Sequence, residues 1–275
     1  MKTYPWPGGA RCVVTLSIDS DGPCCEMAKG VEPLGVRGHG RYTLKHGLAR
    51  YADLFKRQRL PATFFICGHD AESNPGIVEA IAKAGFEVAS HTWLHHPHPL
   101  GEEEPEDLKR THDILTGLTG IAPVGWRYGH KSARTMSLLR EMGYRYDSSE
   151  KDHDYPYMAV IDGEVRDDFV VLPNNTSSLD DFPFYSVSKT PPSEVLEHWK
   201  QEFDATYREG GCFNFLLHPR LGYGSGSPAR MRIFDQLIDF MKGYPGVAIL
   251  PMKDLADWCL ENPSLWQANT GAAHV

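Results

Sequence analysis

The sequence predicts an α/β fold, a single barrel-like domain of parallel strands wrapped by helices, on three observations. Short apolar runs rich in Val, Ile and Phe alternate with helix-period stretches along the whole chain, the pattern of successive βαβ units. No linker, composition break or internal repeat divides residues 1–275, so they read as one domain. The residues that close the apolar runs are Asp19 and Asp21, His91 and His95, Arg127, Asp147 and His218. In barrels of parallel strands, chemistry gathers at the C-terminal strand ends.

Taken in order, Arg11 to Ile18 is a buried first strand, apolar and β-branched at Val13, Val14 and Ile18, and it ends in Asp19-Ser20-Asp21-Gly22. A long loop with Gly35, Gly38 and Gly40 leads to a helix from about Leu44 to Arg57. Ala62 to Cys67 is the second strand. Glu79 to Ala84 lies in a helix that Gly85 stops, and Glu87 to Ser90 is the third strand. Helical spacing returns over Pro105 to Leu118. Val124 to Arg127 is a short strand, Ala133 to Met142 a helix, and Tyr144 to Asp147 another strand. The stretch 148–185 is irregular, apart from a hairpin turned at Asp162-Gly163 and a strand at Phe169 to Leu172. A helix from Ser193 to Arg208 precedes the strand Cys212 to Leu217, which delivers His218-Pro219. A helix over Met231 to Met241, a strand over Val247 to Leu250 and helical residues from Leu255 to Cys259 complete the chain.

Composition narrows the partners. At 41% hydrophobic and 23% charged the chain has the balance of a soluble globular protein. Its net charge of −8 argues against nucleic acid and anionic membrane as partners. No apolar stretch approaches the length of a membrane span, and Met1 to Pro7 lacks the apolar segment of a secretory signal, so a cytoplasmic protein is expected. The six Cys show no zinc-knuckle spacing and are expected as reduced thiols. Nothing around Cys24-Cys25 marks either as a nucleophile.

The stretch that organises the chemistry is His91-Thr92-Trp93-Leu94-His95. Two histidines four apart fall on one face of a helical turn, where both can reach one metal ion. His96 and His98 follow at once and leave the register of the ligands open. With Asp21 the pair makes a two-histidine, one-carboxylate set suited to zinc or another divalent first-row metal. Asp19, two residues before Asp21 and on the same side of an extended strand, could take a proton from a bound water. Arg127 could hold Asp19 ionised and oriented, and His218 could protonate a leaving nitrogen. Singly, each has a bland reading: Asp-Ser-Asp-Gly as a turn, Arg127 as a paired surface cation, His218 as a loop histidine. Five such groups at separate strand ends are hard to explain as packing.

At these residues the chain resembles the polysaccharide deacetylase family, the NodB homology domain of carbohydrate esterase family four. Ser17-Ile18-Asp19-Ser20-Asp21-Gly22, His91-Thr92-Trp93-Leu94-His95, Gly125-Trp126-Arg127, Tyr146-Asp147-Ser148 and Leu217-His218-Pro219 match its motifs in family order, from about residue 11 to 258. The resemblance implies a distorted (β/α) barrel, an Asp21-His91-His95 metal triad, Asp19 as base and His218 as acid. Two departures stand out. Ser20 separates aspartates that are adjacent in most members, and Tyr128-Gly129 follows Arg127. The Asp-x-Asp spacing, the long loop before Tyr42, and His218-Pro219-Arg220 with Pro228-Ala229-Arg230 resemble a subgroup that includes cytoplasmic peptidoglycan-deacetylase-like proteins, metal-independent allantoinases and cyclic imide hydrolases. That likeness implies a homo-oligomer, a tetramer or dimer.

Three functions follow as expectations. The first is a metal-dependent hydrolase of a carbon–nitrogen amide bond in a small cyclic amide or imide. The second is a deacetylase of N-acetylated sugars such as peptidoglycan or chitin fragments. The third is a barrel that only binds a ligand, against which the complete acid, base and ligand set argues. Long loops after the first strand and over 148–185 are expected to roof the barrel mouth, with Gly35, Gly38, Gly40 and the run from Gly222 to Gly226 as hinges.

Overall fold

The computed structural model describes residues 4–175 and 177–270; residues 1–3, 176 and 271–275 of the expected 1–275 domain, with the first part of Met1 to Pro7, lie outside them. Among the described residues nine strands form one curled sheet: β1 (Cys12–Asp19), β2 (Thr63–Ile66), β3 (Glu87–Ser90), β4 (Gly125–Trp126), β5 (Tyr146–Asp147), β6 (Tyr157–Ile161), β7 (Glu164–Val171), β8 (Cys212–Leu217) and β9 (Val247–Leu250). Their order is β6-β7-β5-β4-β3-β2-β1-β8, with β9 beside the first half of β1. Every pairing is parallel except the β6–β7 hairpin. The sheet curls into the half-barrel expected of alternating strands and helices.

The alternation of β1 explains where core and site lie. All eight of its residues are buried. Val14, Leu16 and Ile18 face the helices and pack with Leu48, Tyr51, Phe55, Phe215 and Phe234. Thr15, Ser17 and Asp19 face the barrel interior, where Thr15 meets Asn214 and Ser17 meets Arg127. The inner surface is therefore apolar near Val13, Phe65, Tyr146 and Met252, and polar toward the C-terminal ends. Gly125 has a steric reason: a Cβ there would collide with the Tyr146 ring.

Strand positions and the longer helices follow the sequence reading closely; the loop after β1 and the short helices do not. The loop after β1 contains short helical turns at Cys24–Met27, Gly35–Arg37 and His39–Tyr42, and the helix expected from about Leu44 to Arg57 is present as a π-helical turn over Thr43–Gly47 that continues into Leu48–Gln58. Helices at Gly68–Ser73 and Pro263–Thr270 carry too few periodic residues to show in the sequence. The hairpin does turn at Asp162-Gly163, both at positive φ, but β7 continues unbroken from Glu164 to Val171. The glycines expected as hinges at Gly40, Gly224 and Gly226 are packing positions instead. A Cβ at each would strike backbone, of Gly22, His218 and Pro219 respectively. Among the described residues no helix is long and apolar enough to cross a membrane.

The free edge of β8 is met by the chain that leaves β7. Asp180 pairs with Leu216, whose N–H donates to the Leu179 carbonyl at 2.9 Å. Buried Asn214 closes this seam by donating to the carbonyls of Pro173 (2.7 Å) and Leu172 (3.3 Å). Asn214→Ala would leave both carbonyls without that donor, at a cost of about 1–3 kcal/mol. A denaturant midpoint lowered accordingly, with unchanged slope, is the expected outcome.

Candidate active site and metal centre

The expected residues converge at the C-terminal ends of β1, β3, β4 and β8. Asp19 is the last residue of β1, and Asp21 follows the turn at Ser20, whose Oγ accepts from Cys67 N–H at 3.1 Å. Asp21 has φ +40°, a left-handed value that few non-glycine residues adopt. The two aspartates therefore do not share a side by strand alternation; the turn brings them together. Asp19 Oδ2 lies 3.9 Å and Asp21 Oδ1 3.4 Å from the same nitrogen, His91 Nε2.

The histidine pair requires a second correction. Residues 91–95 are a loop rather than a helical turn, with Thr92 at φ +62°. Its carbonyls accept from the first N–H groups of the Gly68–Ser73 helix, Gly68 to Thr92 (2.9 Å) and His69 to Trp93 (3.1 Å). Asp107 accepts from Trp93 N–H at 2.9 Å. The loop still delivers both rings, and His95 Nε2 stands 3.6 Å from Asp21 Oδ1. Asp21, His91 and His95 group, while His96 lies outside this group and accepts the Tyr128 hydroxyl at its carbonyl.

Arg127 is the most fully used side chain in the site. Its Nε donates to Ser148 O (3.0 Å), Nη1 to Ser17 Oγ (2.8 Å) and Asp19 Oδ1 (2.9 Å), and Nη2 to Ser148 Oγ (2.9 Å). Its carbonyl accepts from His91 Nδ1 at 2.6 Å, which places the proton of the neutral ring on Nδ1 and turns Nε2 toward Asp21. Asp147 has other partners, Lys131 Nζ at 2.7 Å and Ser149 N–H at 3.0 Å.

His218 approaches the other oxygen of the Asp21 carboxylate, with Nε2 3.7 Å from Asp21 Oδ2. Its Nδ1 donates to Asp181 Oδ1 at 2.6 Å, and Asp180 Oδ1 is 3.5 Å away. Asp180 and Asp181 were not assigned from sequence; an adjacent acidic pair in an irregular stretch was their only signal. Burial would lower the His218 pKa, but Asp180 and Asp181 outweigh it and hold the imidazole well above its ordinary range. Burial first, then Asp181 and Asp19, push Asp180 itself up to about 7. Tyr223, also unassigned, donates its hydroxyl to Asp21 Oδ2.

The donor set fits a cation. Asp21 Oδ1 and His91 Nε2 are buried and have no hydrogen-bond partner. A tetrahedral zinc ion with bonds of about 2.0–2.1 Å holds its donors roughly 3.3 Å apart, close to the 3.4 and 3.6 Å found here. The charges agree. Against burial, Asp19 and Asp21 raise the His91 pKa, so their negative charge draws a proton where an ion would otherwise serve. Burial lowers the pKa of His95 more than Asp21 raises it, which keeps that ring neutral and able to ligate.

With this geometry in place, comparison with known proteins identifies the class. Residues 41–146 match the polysaccharide deacetylase family model, a span that includes His91, His95 and Arg127. The chain is 28% identical over 256 residues to a peptidoglycan deacetylase of Helicobacter pylori, covering 79% of this chain and 85% of that one. The structure of a putative polysaccharide deacetylase from Mycobacterium smegmatis superposes with TM-score 0.84 at 27% identity, over 97% of this chain and 96% of that one. Puue allantoinase superposes with TM-score 0.81 at 26% identity over 94% of each. Over residues 41–146 the chain thus matches the polysaccharide deacetylase family, and over most of its length it is similar to proteins described as polysaccharide or peptidoglycan deacetylases and to an allantoinase.

The His218 environment sets a testable sign. Its pKa is raised on folding, so its contribution to stability is complete below the unfolded value and is lost as pH rises through the folded one. Histidine NMR should show His218 titrating well above an ordinary histidine. Asp181→Asn should bring that titration down, because the burial penalty then meets less opposing charge.

Proposed function

We propose that this protein hydrolyses a carbon–nitrogen amide bond in a small cyclic amide or imide, with a divalent ion, zinc, held by Asp21, His91 and His95. The observation that carries the small-substrate part is enclosure. Asp19, Asp21, His91 and His218 are 4%, 3%, 2% and 7% exposed. Tyr223 and Phe182, with ring centroids 4.9 Å apart, lie over His218 at 5.3 and 6.4 Å. A site this covered suits a compact ring better than a polymer strand. The full-length likeness to an allantoinase supports the same reading. The relative named peptidoglycan deacetylase supports the second reading, N-deacetylation of a sugar.

The chemistry divides among fixed groups. Asp21, His91 and His95 would hold the ion, which would supply polarisation of the carbonyl and a water whose pKa is lowered from 15.7 to about 7. Asp19, held by Arg127, accepts the proton of the attacking water. His218, kept protonated and oriented by Asp181, gives a proton to the departing nitrogen, which would otherwise leave as a poor, strongly basic anion. Base and acid thus each stand beside the triad, Asp19 at His91 and His218 at Asp21.

Asp19→Asn removes proton transfer and leaves the three ligands in place. Turnover should fall by about 10²–10⁴-fold while elemental analysis still finds one divalent ion per chain. Parallel assays of ring opening, on succinimide, hydantoin and dihydropyrimidine rings, and of acetate release from chitin and peptidoglycan fragments should favour ring opening. Acetate release as the faster reaction would leave the sugar deacetylase in its place.

A further inference from the structure

The loop after β8 folds back over the site and is tied at many points. Ser225 N–H donates to His218 O at 2.8 Å, closing the loop on itself. Arg230 Nη1 holds the carbonyls of Leu221 (3.0 Å) and Gly224 (2.7 Å), and Tyr42 OH donates to Gly226 O at 3.0 Å. Arg220 Nη1 donates to the carbonyls of Asp21 (2.7 Å) and Gly22 (3.2 Å), and its Nη2 pairs with Glu26. Gly224 and Gly226 permit this because a side chain at either would strike backbone of His218 or Pro219. The loop therefore presents Tyr223 rigidly, with its ring wedged between Phe182 and His218.

Tyr223 divides the work of the Asp21 carboxylate. Oδ2 accepts the phenol hydrogen bond, while Oδ1 has no hydrogen-bond partner and faces His91 and His95. Without that donor, Oδ2 would be free to turn toward the ion or toward His218 Nε2, 3.7 Å away. We infer that Tyr223 is a positioning residue of the metal centre: its hydroxyl confines Asp21 to one ligating oxygen and sets the affinity with which the triad holds its ion. The inference rests on the reading that Asp21, His91 and His95 bind a divalent ion. Groups that orient ligands in this way are typically worth about 10–100-fold in metal affinity.

The test is Tyr223→Phe, which keeps the ring and removes the oxygen. Zn2+ affinity is measured by competition with a chromophoric chelator, and the visible absorption spectrum is recorded on the Co2+-loaded protein. The expected result is a dissociation constant raised about 10–100-fold and a changed Co2+ spectrum, with the circular dichroism of the fold retained. Phe182→Ala, which removes the neighbouring ring without touching Asp21, should keep wild-type affinity and spectrum. Equal affinity and spectrum in Tyr223→Phe and wild type would overturn the inference alone. An equal loss in Phe182→Ala would also overturn it, by assigning the effect to packing of the roof. Wild-type protein that takes up neither ion would overturn the metal reading, and this inference with it.

Discussion

The contact between Arg127 and Asp19 is a buried charge pair on which several parts of the fold converge. Both side chains lie inside the barrel, the guanidinium over the Phe65 ring at 4.1 Å. A charge in that setting is tolerable only when every donor finds an acceptor. Arg127 meets that condition by reaching β1 through Ser17 and Asp19, and the end of β5 through Ser148. Ser148 Oγ in turn donates to Leu172 O at 2.8 Å and accepts from Asn214 Nδ2 at 3.3 Å. The same network therefore orients Asp19, orients His91 through the Arg127 carbonyl, and reaches the seam where the half-barrel closes. Loss of the arginine would strand a buried carboxylate and loosen the strands together. Such a break typically costs about 3–5 kcal/mol.

Around that pair the site assigns different duties to similar groups by surroundings alone. Asp19 has a permanent cation beside it. Asp21 faces histidines, and against the effect of burial they hold its carboxyl well below the usual range. Asp181 is given over to His218, whereas Asp180, crowded by burial and by its acidic neighbours, is raised to about 7. Three histidines are likewise separated. His91 has its proton placed on Nδ1 by a backbone carbonyl, His95 is kept neutral by burial, and His218 is kept charged by two carboxyl groups. Residue type alone carries none of these distinctions.

That is also the boundary of what could be read from the sequence. The strand ends were legible because buried strands are short apolar runs, and the chemistry-bearing residues stand directly after them: Asp19 after Ile18, His91 after Ser90, His218 after Leu217. His91 and His95 do not meet through helical spacing, because a loop pinned by Asp107 and by helical N–H groups replaces the helical turn. The residues are nevertheless the right ones to face Asp21. Asp180, Asp181 and Tyr223 escaped because their positions depend on how two irregular segments lie across β8. No periodicity encodes that packing.

The inward face of β1 shows why fold and site are not separable here. A closed barrel of this size normally fills its interior with branched apolar side chains. Here Thr15, Ser17 and Asp19 on β1, with Asn214 on β8 and Arg127 after β4, fill it with a polar network that rises toward the mouth. A polar interior must be satisfied bond by bond, and the carbonyls of the irregular chain at 172–173 supply acceptors that a regular strand would have committed to its own ladder. The irregular seam between the chain that leaves β7 and β8 thus serves the interior. The same irregular stretch, continuing to Asp180 and Asp181, then reaches the strand end where it meets His218. Incomplete closure of the sheet and orientation of the acid have one structural cause.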